Sequence, residues 1–252
     1  MERVLDLDGY VQKMEKSLLD KMFFMDKLFE PVDSIVDFGC ANGALIRALE
    51  YLFPEYRYIG YDISEEMVEL ARSAVPAASF YSRWEELPVS FDKALLNISS
   101  TLHEVYSYGT PESVEQFWDR VFHSGFRYIA IRDMMLSDGI KLMADGEDVR
   151  RAKTLSPDKL AQYENIWGPI NIRFNLIHYL LKYKYDRNWQ REVRENYLPI
   201  TVEELLSRVP DHYEIIYREH YTLPYIKQQI RKDCGIDLQD HTHFKLLLKR
   251  ID

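Results

Sequence analysis

The sequence predicts a doubly wound α/β domain on three observations. Apolar runs of strand length alternate with amphipathic helical patterns from residue 34 to 132, a glycine turn joins the first strand of that series to its first helix, and an acid closes the second strand. Strands alternating with helices imply a parallel sheet, because a parallel connection has to cross over. With 252 residues, 46% of them apolar and 29% charged, there is material for one core and no compositional case for disorder. A single domain over 1–252 is therefore expected, with embellishments at 1–30 and 134–200.

From Tyr10 to Phe29, the apolar residues Val11, Met14, Leu18, Leu19, Met22, Phe23, Met25 and Leu28 recur at three- and four-residue spacing. That pattern is an amphipathic helical cap closed by Pro31, packing on the sheet or covering a site. Ser34 to Phe38 reads as a short buried strand, Gly39 to Gly43 as a turn, and Leu45, Ile46 and Leu49 as the inner face of a helix. Strands are expected at 56–61, 79–81, 93–98 and 127–132, with helices at about 65–73 and 113–124. After Asp133 the alternation stops. A polar stretch to about Asp158 precedes a helix-rich block, 160–197, crowded with Tyr, Trp, Arg and Lys. The chain closes with a helix at 202–208 with Thr201 as N-cap, a strand at 213–220, a short helix at 225–232 and a strand at 242–249.

The net charge of −9 argues against a protein that grips nucleic acid mainly by neutralising phosphates. Two cysteines, Cys40 and Cys234, make no disulfide framework and no Cys-x-x-Cys pair, which suits a reducing compartment. The opening Met-Glu-Arg-Val-Leu-Asp-Leu-Asp has neither a basic nor an apolar leader segment, and no apolar run approaches the ~20 residues of a membrane span. A cytoplasmic chain without membrane contact is expected.

The strongest chemical signal is Val36-Asp37-Phe38-Gly39-Cys40-Ala41-Asn42-Gly43, between strand and helix. Glycines there let the backbone turn tightly and let a ligand approach main-chain atoms. Such turns also occur without ligands, but Asp62 ends the second strand about twenty residues later, where a carboxylate can accept both hydroxyls of a ribose. The two features together point to a nucleotide-like cofactor. A nicotinamide-dependent oxidoreductase shares them, but the order Gly-x-Gly-x-x-Gly is missing.

On these residues the sequence resembles the class I S-adenosylmethionine-dependent methyltransferases, whose first motif reads roughly apolar-apolar-Asp-x-Gly-x-Gly-x-Gly. Asp37, Gly39 and Gly43 match it, and Ala41 replaces the middle glycine. The resemblance implies a Rossmann-like, seven-stranded mixed sheet with an antiparallel last strand, and S-adenosylmethionine as cofactor. It implies that Asp37, Gly39, Cys40, Ala41 and Gly43 hold the methionine part, that Asp62 holds the ribose, and that Ile63 and Met67 line the adenine. The acid the family often places after the third strand is absent; Arg83 or Trp84 stands there, so Trp84, Glu85 or main-chain atoms take the adenine contact. In Leu96-Asn97-Ile98-Ser99-Ser100-Thr101-Leu102-His103-Glu104, the resemblance puts Asn97 beside the cofactor and His103 and Glu104 near the reacting methyl. A His of near-neutral pKa can accept a proton from the acceptor, with Glu104 orienting it; equally, Leu-His-Glu here can cap a helix, since methyl transfer needs little beyond alignment.

No metal site is expected: His241 and His243 are interleaved beside Asp237 and Asp240, as in a solvated loop. In the inserted block Phe174, His178, Tyr179, Tyr183, Tyr185, Trp189 and Tyr197 interleave with Lys182, Lys184, Arg187, Arg191 and Arg194. This pattern can stack bases and neutralise phosphates, or enclose a metabolite, or simply be core on one side and solvent on the other. The acidic charge favours a small-molecule acceptor, RNA stays an alternative, and a non-catalytic S-adenosylmethionine-binding protein would carry the same loop. The block can serve as lid, reader or interface, so oligomeric state is open.

Overall fold

The computed structural model describes residues 17–251. Its seven-stranded sheet runs β1 Ser34–Phe38, β2 Arg57–Tyr61, β3 Ser79–Tyr81, β4 Ala94–Ser99, β5 Tyr128–Met134, β6 Tyr213–Tyr221 and β7 His243–Arg250. The spatial order is β3-β2-β1-β4-β5-β7-β6. The first five strands are mutually parallel, and β7 is antiparallel to both β5 and β6. The chain reverses direction across the sheet between β1 and β4, and in such sheets ligands bind at the carboxyl ends beside that switch.

Helices cover both faces. α1 (Leu18–Lys21), α2 (Ala44–Leu52) and α3 (Glu65–Ala74) lie on one side, where Phe24, Ile46, Leu49, Val68 and Ala71 pack on Ile35, Leu95 and Ala130. α4 (Leu102–Tyr108), α5 (Pro111–His123) and α10 (Val202–Ser207) lie on the other, where Leu102, Phe117, Val121 and Leu205 pack on Val36, Leu96, Ile98 and Ile131. The inserted block supplies α6 (Gly146–Ala152), α7 (Pro157–Trp167), α8 (Arg173–Lys182) and α9 (Trp189–Glu192). With α11 (Pro224–Cys234), it builds a second apolar core around Tyr163, Leu176, Ile177, Tyr179, Ile230 and Leu238.

The strands anticipated from sequence lie within two residues of their observed ends, and Thr201 caps α10 through a capping box with Glu204. Three expectations change. The described part of the N-terminal cap is shorter than a continuous helix: α1 stops at Lys21 and only a 3-10 turn, Met25–Lys27, follows; residues 10–16 of the expected helix lie outside the described residues. The polar stretch after Asp133 contains α6, whose first N–H groups are capped by Asp145. In the block, His178, Tyr179, Tyr183, Trp189 and Tyr197 are buried, as are Lys182 and Arg191, so these side chains form the second core rather than a stacking surface.

Candidate active site

The β1–α2 loop is built on left-handed backbone: Gly39 has φ +76°, Ala41 +46° and Gly43 +75°. Gly39 and Cys40 donate their N–H groups to the Tyr61 carbonyl, at 2.7 and 3.0 Å. Ala41 donates its own to Asp62 Oδ2 at 2.9 Å, while Asp62 Oδ1 accepts the Ser64 N–H at 2.9 Å. Ala41 therefore takes the conformation that the middle glycine of the motif would take, held there by Asp62 at a strain of about 1 kcal/mol. Burial pushes the Asp62 carboxyl upward, and the two N–H groups pull it back. Cys40 is buried, its thiol pushed well up by that burial, and its sulfur faces Gly60 as a packing group.

Gly39 is required for a different reason from the one its motif suggests. A Cβ there would meet Thr101 Oγ1 at 2.4 Å and Thr101 Cγ2 at 2.5 Å, so the space beside Gly39 is filled by Thr101, just past β4.

Asp37 and Asn97 are register partners on neighbouring strands and point to the same face. Asn97 Nδ2 donates to Asp37 Oδ1 at 2.7 Å. Burial raises the Asp37 carboxyl to about 6, against that hydrogen bond and the nearby Lys21. Asn97 Oδ1 and Ser99 Oγ, on the same strand face, are buried without a hydrogen-bond partner. Lys21 is only 5% exposed and none of the described hydrogen bonds or ion pairs uses its ammonium; burial draws its pKa down to about 8 beside Arg132, Asp37, Asp133 and Asp20. Unpaired buried donors and acceptors on one edge match a zwitterionic ligand tail, so the donor set fits the methionine end of S-adenosylmethionine.

The neighbouring Asp20 ties α1 to the sheet. It accepts Arg132 Nε at 2.9 Å and the Tyr221 hydroxyl at 2.5 Å, and lies 2.7 Å from Lys245 Nζ, one partner from each of β5, β6 and β7. Arg132 Nη1 also donates to Ser100 Oγ at 2.7 Å, holding Ser100 at φ +59° just past β4. Sequence reasoning missed Lys21, Asp20 and Arg132. The signal was present, since Lys21 interrupts the apolar face of its helix and Arg132 an otherwise apolar strand.

His103 and Glu104 sit at the start of α4, but not in the roles anticipated. His103 Nδ1 is 2.9 Å from Asp133 Oδ1, and Asp133 Oδ2 accepts the His103 N–H at 3.3 Å; the imidazole is oriented by Asp133, not Glu104. Burial alone would lower its pKa, but the Asp133 charge and hydrogen bond outweigh it and lift the imidazole to about 9. At neutral pH His103 is thus an imidazolium, which donates protons or hydrogen bonds, where a neutral base was expected. Glu104 instead accepts Arg191 Nη2 at 2.8 Å, and its carboxyl is raised by burial.

This pairing makes stability depend on pH. The His103 pKa is raised in the fold from 6.5 to about 9, so its contribution is fully present below pH 6.5 and is lost as pH rises through 9. Asp133 is held below its usual range, so its share is lost only in acid. Chemical denaturation should show wild type ahead of His103→Gln by on the order of 2 kcal/mol at pH 6, with the gap closing by about pH 10. A gap that widens with pH would contradict the pair.

The remaining anticipated residues are dispersed. Ile63 is 70% exposed beside Asp62, and Met67 is half-buried one turn along. Trp84, 9% exposed, lies in the aromatic core with Phe38, Tyr61 and Phe126, with the Arg120 guanidinium 5.5 Å from its ring centre. Among the described residues no group of three or more His, Cys, Asp or Glu side chains is arranged to hold a metal ion, and no helix is long and apolar enough to cross a membrane.

Strand order, loop and carboxyl-edge acids together define the Rossmann-like fold of class I methyltransferases. The family model described as a methyltransferase domain matches residues 35–122, which hold the β1–α2 loop, Asp62, Asn97 and His103. Over these residues the chain matches a methyltransferase domain, a family that uses S-adenosylmethionine. No curated relative matches. Among solved structures, the plantazolicin methyltransferase BamL, in complex with a triazolic desmethyl analogue and SAH, is similar at a TM-score of 0.56 and 13% identity, covering 97% of this chain and 88% of that one. A SAM-dependent methyltransferase of Methanosarcina mazei is similar at 0.51 and 15%, covering 90% and 97%, and the [4+2]-cyclase SpnF at 0.53 and 11%, covering 94% and 82%. At such identities the likeness concerns the fold alone, and the cyclase among these structures fits the rule that one fold hosts several chemistries.

Proposed function

We propose that the chain transfers the cofactor's methyl group to a small molecule held between the carboxyl ends of β4 and β5 and the helical block 134–200, which serves as its lid. The observation that carries this reading is the inward packing of the block. His178, Tyr179, Tyr183, Trp189 and Tyr197 are buried, as are Lys182 and Arg191, which removes most of the stacking surface and part of the phosphate contact that an RNA acceptor would use.

In this reading Asp62 receives the ribose hydroxyls, Ile63 and Met67 flank the adenine, and Glu85 or main-chain atoms near Trp84 meet its edge. The loop Gly39 to Gly43, with Asp37 and Asn97, holds the methionine end, and Lys21 supplies the cation for its carboxylate. Bound S-adenosylmethionine supplies a methyl group already activated by a cationic sulfur. The protein's work is then alignment and exclusion of water. His103, charged and fixed by Asp133, orients the acceptor by donating a hydrogen bond from Nε2.

Calorimetric titration with S-adenosylhomocysteine, S-adenosylmethionine and NADH tests the reading. One-site binding of the first two alone is expected, unaffected by excess RNA. Binding of NADH in their place would refute the cofactor assignment, and salt-sensitive competition by RNA would return the acceptor to nucleic acid.

A further inference from the structure

α1 meets the carboxyl half of the sheet with two charged side chains adjacent in sequence, Asp20 and Lys21. It is a single helical turn, which is not stable alone, so its contacts set its position. Phe23 and Phe24 fix the chain beyond it in the core. Asp20 fixes the turn itself: it accepts from Arg132 on β5 at 2.9 Å and from Tyr221 on β6 at 2.5 Å, and pairs with Lys245 on β7 at 2.7 Å. Burial would raise its carboxyl, but Arg132, Lys245 and Tyr221 together hold it below the usual range, so it stays ionised.

Lys21 reaches the neighbouring strands. Asp37 on β1, Asn97 and Ser99 on β4, and Arg132 on β5 share one face of the sheet, with Asp37 opposite Asn97 and Ser99 opposite Arg132. The charge of Lys21 interacts with Arg132 and Asp133 on one side and with Asp37 on the other, which puts its ammonium at the carboxyl edge near β4, the strand between them. Three polar groups lack partners there. Asn97 Oδ1 and Ser99 Oγ are sealed from solvent without one, and among the described residues no hydrogen bond or ion pair engages the Lys21 ammonium, although the three residues are only 0%, 7% and 5% exposed. Lys21 and Ser99 can donate to an anion, and Asn97 Oδ1 can accept from a cation.

We propose that Asp20 is a positioning residue for the cofactor: by holding α1 it sets Lys21 on the α-carboxylate, and the pair makes the site selective for adenosyl thioethers and sulfoniums that carry that carboxylate. The inference rests on the cofactor reading above and adds to it a selectivity and the residue that enforces it. A ligand without the carboxylate leaves Lys21 a buried charge with no counterion, so rejection of the wrong ligand is built into the site along with attraction of the right one. Burial draws the Lys21 pKa down to about 8, and a carboxylate in contact would move it back up. Asp20 cannot make that contact itself, since its carboxylate repels another; its part is to hold the turn from the β5, β7 and β6 side while the next residue faces the ligand.

The test is calorimetric titration with S-adenosylhomocysteine and with its decarboxylated analogue, which keeps the adenosine, the sulfur and the amine and lacks only the carboxylate. Wild type should prefer the first by about 30-fold. Lys21→Met should remove most of that preference by weakening S-adenosylhomocysteine alone, the analogue staying within about threefold, and Lys21→Arg should keep part of it. Asp20→Asn should cut the preference about fivefold, again through S-adenosylhomocysteine. The double variant should bind S-adenosylhomocysteine no more weakly than Lys21→Met, because Asp20 acts through Lys21, whereas a merely structural role would weaken both ligands and add to the first loss. Tyr221→Phe removes one of the three anchors of Asp20 and should give a smaller loss in the same direction, which reads the same role should Asp20→Asn fail to fold. Equal affinity of wild type for the two ligands, a Lys21→Met variant that keeps the preference, or anchor variants that lose both ligands alike overturns the proposal. Failure of wild type to bind S-adenosylhomocysteine would instead overturn the cofactor reading beneath it.

Discussion

Gly39→Val is expected to destabilise the fold by about 2–5 kcal/mol, from two separate costs. A β-branched residue at φ +76° costs roughly 1–2 kcal/mol of backbone strain. The side chain must also enter space held by Thr101 Oγ1 and Cγ2, an overpacking worth about 1–3 kcal/mol. For a chain of this size the melting temperature should fall by about 10 °C. The loop's geometry predicts how the cost divides. In a double-mutant cycle Thr101→Ala should return part of the loss of Gly39→Ala, because it removes the two closest atoms, but not the strain at φ. Ala41→Gly should have the opposite sign, releasing the strain at φ +46° for a gain of up to about 1 kcal/mol, set against the extra freedom of glycine in the unfolded chain. If Gly39→Val melts like wild type, the loop does not have this conformation.

Why Gly39 could be found from sequence while Thr101 could not is the general pattern in this chain. β1 to β4 and their turns were legible because each is a short apolar run bounded by turn residues, a signal contained in a few neighbouring positions. α6 is also locally signalled, by Asp145 ahead of Gly146-Glu147-Asp148, but within a stretch too polar to show a helical apolar face. The end of β5 was not local: Asp133 and Met134 are strand because they pair with Phe244 and His243. The same holds for the site. Asp37, Gly39 and Asp62 announce themselves by spacing, whereas His103 needs Asp133, thirty positions on, before its charge is defined. Lys21, Asp20 and Arg132 meet only when α1 folds over the sheet edge. In the block, an aromatic-basic pattern is compatible with two orientations, and only tertiary packing turned its rings inward.

Asp62→Ala should weaken S-adenosylhomocysteine binding about 100-fold, ~3 kcal/mol, through the ribose contacts and the loop together. A charge-assisted hydrogen bond is worth about 1.5–3 kcal/mol, and the variant removes the proposed acceptor of the ribose hydroxyls. It also removes the group that accepts the Ala41 and Ser64 N–H bonds, and so the restraint that keeps Ala41 left-handed. Part of the lost affinity is then the cost of reordering the loop on binding. Asp62→Asn separates the two contributions, since its amide oxygen can still accept one N–H while its charge is gone. It should lose about tenfold and keep the melting temperature close to wild type, whereas Asp62→Ala should lose both affinity and stability. Calorimetric titration paired with thermal unfolding reads the two quantities on the same samples. Equal losses for the two variants would place the carboxylate on the ligand alone, and unchanged affinity in Asp62→Ala would remove the ribose from this position altogether.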